Sequence, residues 1–152
     1  MQNQPQRKIV KIIRLTVIAM LATSATLLML MITHRQLRYD DINTIRQDGG
    51  VVHTRSELSD LLKRRLSTWY PEWFETPYAV WLPAGYGDDK LVLLKRFENL
   101  STISLEGTSI SNEGVRQLSQ FEELRLLTLS DGISKDTERF MRDELPQLVT
   151  IR

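Results

Sequence analysis

Leucine and isoleucine recur in this chain at a fixed step. Within residues 99–121, NLSTISLEGTSISNEGVRQLSQF, Leu100, Ile103, Leu105 and Ile110 are spaced L-x-x-I-x-L-x-x-x-x-I, and a helix-like stretch over 113–120 follows. Leu100 recurs as Leu124 and Leu148, Ile103 as Leu127 and Ile151, and Leu105 as Leu129, each 24 residues on. The same step runs backwards, since Leu91, Leu94 and Phe97 precede Val115, Leu118 and Phe121 by 24. A period of this length makes each stretch one supersecondary unit that cannot bury its apolar face alone, so neighbouring units must stack.

The spacing resembles that of leucine-rich repeats, in the short bacterial variant L-x-x-L-x-L-x-x-T-x-[IV]-x-[DN]-x-G-[LV]-x-x-L. Leu100, Ile103, Leu105, Thr108, Ile110, Asn112, Gly114, Val115 and Leu118 match it. Thr108 stands where many such repeats carry Asn, and a Thr hydroxyl can satisfy a turn backbone group in its place. The second unit, residues 122–145, departs from the pattern: it loses one residue after Gly132, puts Ile133 where Ile110 stood and has Glu138 near the slot of Val115. The resemblance implies an α/β fold, a short solenoid of parallel strands with helices on its outer face. One transmembrane helix precedes it.

That helix is read from residues 15–33, LTVIAMLATSATLLMLMIT, which hold no charged side chain over 19 residues, close to the roughly 20 that cross a bilayer core. Thr23 and Ala25 are small enough to precede a signal cleavage, which would leave a secreted repeat protein. The apolar run from Leu27 to Ile32 beyond them favours an uncleaved anchor. Arg7, Lys8, Lys11 and Arg14 precede the segment, against Arg35 and Arg38 after it. The N-terminus, residues 1–14, is therefore expected in the cytoplasm and the repeats outside it.

No Pro or Gly lies between Pro5 and Gly49, so the helix should continue as a stalk over 34–49, with Tyr39, Ile42 and Ile45 on one face. Gly49 and Gly50 should end it. Residues 50–82 read as an N-terminal cap. Within it, 51–54 (VVHT) is β-prone, and 56–67 is a helix with Ser56 as its cap and Leu58, Leu61, Leu62 and Leu66 on one face. Residues 69–81 carry 6 of the 11 aromatics, Trp69, Tyr70, Trp73, Phe74, Tyr78 and Trp81. They suit either an apolar plug over the end of the solenoid or an aromatic platform for a sugar or peptide. Repeats occupy 83–152. They open with a degenerate unit in which Val80 and Leu82 point inward, 83–87 turn, and a helix spans 88–96. The last strand, 148–151, carries no further unit after it, so weak self-association at most is expected there.

The 20 basic and 19 acidic residues are segregated. Residues 1–34 hold four basic residues and no acid, so the remainder is slightly acidic, which argues against nucleic acid as the partner. With no Cys there is neither a disulfide framework nor a thiolate metal site or nucleophile. His34 and His53 have no metal-type or catalytic spacing to other groups, and Gly85-Tyr86-Gly87 does not continue into a phosphate loop. Asp40-Asp41 and Asp88-Asp89 fall short of a calcium loop. No catalytic, cofactor or metal residue is legible, and a non-enzymatic role is expected.

If Ile103 and Leu105 point inward, strand alternation puts Thr102, Ser104 and Glu106 on the opposite, concave face. The 24-residue step adds Leu126, Thr128 and Ser130, then Thr150, and counting back adds Ala79 and Trp81. The candidate binding surface is accordingly Trp81, Thr102, Ser104, Glu106, Leu126 and Thr128, facing an unidentified protein or glycan. The other class in play is a structural membrane subunit whose repeats serve only assembly.

Overall fold

The computed structural model describes residues 4–56, 60–66 and 75–152. It divides into two compact units, Met1–Leu37 and Arg38–Arg152. Helix α1, Gln4–Gln47, supplies the first unit and the opening of the second. Over Lys11–Gln47 it is long and apolar enough to cross a membrane, with none of its most apolar stretch buried. Its hydroxyls are spent locally. Thr16, Thr23, Ser24, Thr26 and Thr33 each donate to a carbonyl one turn back, at 2.8–3.0 Å. Such back-bonding lets a polar side chain sit on an apolar helix without an unmet hydrogen bond.

The second unit is α/β, with one mixed five-stranded sheet in the order β1-β2-β3-β4-β5. Strand β1 (Val51–Ser56) pairs antiparallel with β2 (Glu75–Trp81). Strands β3 (Thr102–Ser104), β4 (Leu126–Thr128) and β5 (Val149–Ile151) follow, each parallel to its predecessor. The all-parallel expectation thus holds from β2 onward and fails at β1. Each parallel crossover carries a helical segment: a 3-10 helix over Asp88–Arg96, then α3 (Asn112–Gln117) running into a 3-10 turn Leu118–Gln120, then α4 (Lys135–Glu144). The irregular unit therefore has the longest regular helix of the three.

One core fills the space between sheet and helices. Val80, Ile103 and Leu127 come from the strands, and Leu94, Phe97, Val115, Leu118 and Met141 from the crossovers, all fully buried. Each such side chain contributes about 1.5–3 kcal/mol relative to exposure. At the β1 end the core is closed by Ile42 and Ile45 of α1 and by Val52, 4, 0 and 5 % exposed. Gly49 terminates α1 with φ +94°, a conformation that disfavours any side chain. Gly50 serves close approach instead, because a Cβ there would lie 2.6 Å from Ile45 Cγ2 and 2.9 Å from the Trp81 carbonyl oxygen.

Polar contacts fix this end. Arg96 Nη1 donates to Asp41 Oδ2 at 2.6 Å, and the Tyr86 hydroxyl donates to Asp48 Oδ2 at 2.6 Å. Burial, with that hydrogen bond second, raises the Tyr86 phenol above its usual range.

One expectation about the cap needs correction. Ser56 is the last residue of β1 rather than the start of a helix; α2 spans Asp60–Leu66, and its Leu61 and Leu62 are 79 and 48 % exposed. Of the aromatic stretch, Trp69, Tyr70, Trp73 and Phe74 lie outside the described residues. Tyr78 and Trp81 are exposed on the sheet, at 37 and 40 %.

Candidate binding surface

The strand register decides which side chains share the face turned away from the helices. One row reads Val51, Trp81, Ser104, Thr128, Ile151; the next reads His53, Ala79, Thr102, Leu126, Val149. Between them the alternate positions Val52, Val80, Ile103 and Leu127 point into the core. Trp81, Thr102, Ser104, Leu126 and Thr128 are thus brought together on adjacent strands, in the order sequence spacing assigns. Glu106 is not. It lies past the end of β3, exposed, in the turn where Gly107 takes φ +71°.

The exposure of these residues is uneven. Trp81 is 40 % exposed, Thr102, Leu126 and Thr128 are half-buried, and Ser104 is only 5 % exposed. Ser104 sits in register between Trp81 and Thr128, with its Oγ 3.5 Å from the Glu106 amide. It is a floor residue and offers little to a ligand.

Thr150 is a second correction. The 24-residue step places it on the open face, but it pairs with Leu127 in the inward row, and Val149 and Ile151 turn outward, 57 and 48 % exposed. The step is 24 from Leu124 to Leu148 and only 23 from Leu126 to Val149. One residue is dropped where β4 carries an extra one, Arg125 and Leu126 both donating to the Ser101 carbonyl. A one-residue slip sends every side chain of a strand to the other face.

At the β1–β2 edge the pairing slips between His53 and Thr54, opposite Tyr78. The bulge aims an additional aromatic outward. His53 meets Trp81 edge-on, centroids 4.5 Å apart, and Tyr78 at 6.3 Å. Sequence reasoning left His53 beside Trp81, and Val149 and Ile151 at the far side, off this face; it read Tyr78 within the aromatic stretch without placing it here. Pro77, paired with Thr54 beside the slip, is the one sequence sign of the bulge.

A second concavity, about 440 Å³, lies between the loops 107–112 and 130–133. Its polar groups are turned on one another. Asp88 Oδ1 and Oδ2 accept from the Ser111 amide and hydroxyl at 2.8 and 2.5 Å, and Asn112 Oδ1 accepts from the Ser134 amide at 2.8 Å. The hydroxyls of Ser111 and Ser134 in turn cap α3 and α4. Thr108 Oγ1 donates to the Leu105 carbonyl at 2.7 Å, filling the turn role assigned to it. These groups build the loops and leave no convergent set for a ligand. Among the described residues no cluster of three His, Cys, Asp or Glu is placed to hold a metal ion. Comparison with protein-family models and with curated proteins returns no match.

Proposed function

We propose that this chain is a single-pass, membrane-anchored leucine-rich-repeat module whose repeats lie outside the cytoplasm and act as a non-catalytic protein-interaction scaffold. The observation that carries the reading is the exposure of Trp81, flanked by His53 and Tyr78, on the side of the sheet opposite the buried row Val52, Val80, Ile103 and Leu127. A large amphipathic aromatic on an open face is the residue type most enriched at interaction hot spots. Support for the repeat reading comes from the strand–helix units that follow one another in register. Support for the anchor comes from the apolar helix and the four basic residues ahead of it, against two behind.

The test is site-specific photocrosslinking in intact cells producing the full chain. A photoreactive residue at Thr102 or Thr128 is expected to yield covalent adducts, and one at Arg139, exposed on α4, is not. Adducts from Arg139 alone would move the contact to the helix side and support an assembly role instead.

A further inference from the structure

The two outward rows contain ten side chains on five strands, and none is Asp, Glu, Lys or Arg, although a quarter of the whole chain is charged. The far end adds Leu126, Val149 and Ile151 to the aromatic end at Trp81. From these rows we infer that the open face is the seat of one amphipathic helix from a partner protein, laid across the strands with its apolar side down. This rests on the interaction reading above and names the partner's chemistry.

Three observations select that occupant. The strip spans four strand spacings, about 19 Å, and two residues along each strand, about 7 Å. That footprint is below the about 800 Å² per partner of a stable interface, so binding here is weak and transient, and two copies docked face to face through this strip alone would not persist as a dimer. The strip matches one helix, about 13 residues at 1.5 Å each. The lack of charge disfavours a charged partner surface, which would lose its solvation without gaining an opposite charge.

Backbone hydrogen bonding decides between a helix and an extended peptide. The strands' own amides and carbonyls are used in the sheet ladder, and on the face itself Thr102 and Thr128 are the accessible hydroxyls, Ser104 being buried. A peptide running extended across the strands would leave most of its backbone groups unmatched. A helix brings its own internal bonds and needs only apolar contact.

The experiment uses the full chain in detergent micelles and fluorescence anisotropy. The probe is a labelled 13-residue peptide, Leu and Ala on one face and Lys and Glu on the other, stapled into a helix. Binding in the micromolar range is expected, weakened at least tenfold by Leu126→Lys and by Ile151→Lys, with circular dichroism confirming that both variants remain folded. Equal binding to both variants would show micelle or nonspecific capture and overturn the inference. So would equal binding of a proline-interrupted peptide of the same composition, or displacement of the helix by a neutral oligosaccharide. Self-association of the chain abolished by Leu61→Lys would replace the external helix by α2 of a second copy. Failure of the probe alongside Thr102 and Thr128 adducts in cells would sink the helix and keep the interaction face. Failure of both would sink both.

Discussion

Thr150 donates its hydroxyl proton to Glu138 Oε1 at 2.8 Å, and both residues stand where the preceding unit has aliphatic side chains. Thr150 takes the inward slot of Leu127, and Glu138 stands 23 residues after Val115. Arg142 donates to both, and Arg152 reaches Glu138 at 3.4 Å and the Ile133 carbonyl at 2.9 Å. The unit that breaks the apolar pattern thus satisfies its own polar groups.

The carboxyl of Glu138 is held below its ordinary range, first by the Thr150 hydrogen bond and then by Arg142, Arg152 and Lys135, with burial opposing them. A depressed carboxyl stabilises the fold above its unfolded pKa, and that contribution disappears as pH falls through the lower folded value. Glu138→Gln should therefore flatten the acid limb of the stability curve below about pH 4.5. Glu138→Ala should cost about 1–2 kcal/mol at pH 7. Urea unfolding across pH 2–7 checks both, and an unchanged acid limb in the Gln variant would count against the pairing.

Asp41 and Arg96 should respond asymmetrically to truncation. The Asp41 side chain is 10 % exposed and that of Arg96 38 %. Removing the arginine strands a buried carboxylate, whereas removing the aspartate frees a cation that reaches water. Arg96→Ala is expected to cost about 2 kcal/mol and Asp41→Ala about half that. Paired denaturation curves and the double variant give the coupling.

Gly50 and Gly132 form a second matched pair. Gly50→Ala drives a methyl against Ile45 and a backbone carbonyl and should destabilise by about 2–3 kcal/mol. Gly132 has open space at its Cβ position, so Gly132→Ala should change stability by no more than about 1 kcal/mol. Thermal melts of the two alanine variants decide this.

Trp81→Ala should lower affinity for the bound partner at least tenfold while melting within a few degrees of the parent. The edge-on contact with His53 accounts for about 1 kcal/mol. A large fall in melting temperature with unchanged crosslinking at Thr128 would assign Trp81 to packing.

The proposed orientation is testable at the other end of the chain. A reporter active only in the cytoplasm, fused after Arg152, should be silent, and one active only outside should report.

Spacing alone located Ile103 over Leu127 and Val80 beside them, because identical slots in stacked units must be filled by similar volumes. It also placed the crossover helix over 88–96, although the backbone there winds as 3-10 rather than α. Thr150 escaped because Leu148 keeps the 24-residue step while the slip falls one residue later. The burial of Arg38 and Asp41 at 8 and 7 % escaped for a different reason. Charge at those positions reads as solvent-facing, and their cover comes from elements distant in sequence, as the Asp41–Arg96 bond shows. Within the candidate surface, Trp81, Thr102, Leu126 and Thr128 follow from alternation, and Glu106 was lost because β3 ends at Ser104.

The contacts from Asp88 to Ser111 and from Asn112 to Ser134 amount to a grammar of succession. In each, the first residue of one crossover helix accepts from the residue that caps the next. The corresponding first residue of α4 is Lys135, a donor with no lone pair to offer. The rule that joins one module to its successor is thus written into two side chains and erased at the third. Lys135→Asn would restore at α4 the acceptor that Asp88 and Asn112 supply to their neighbours.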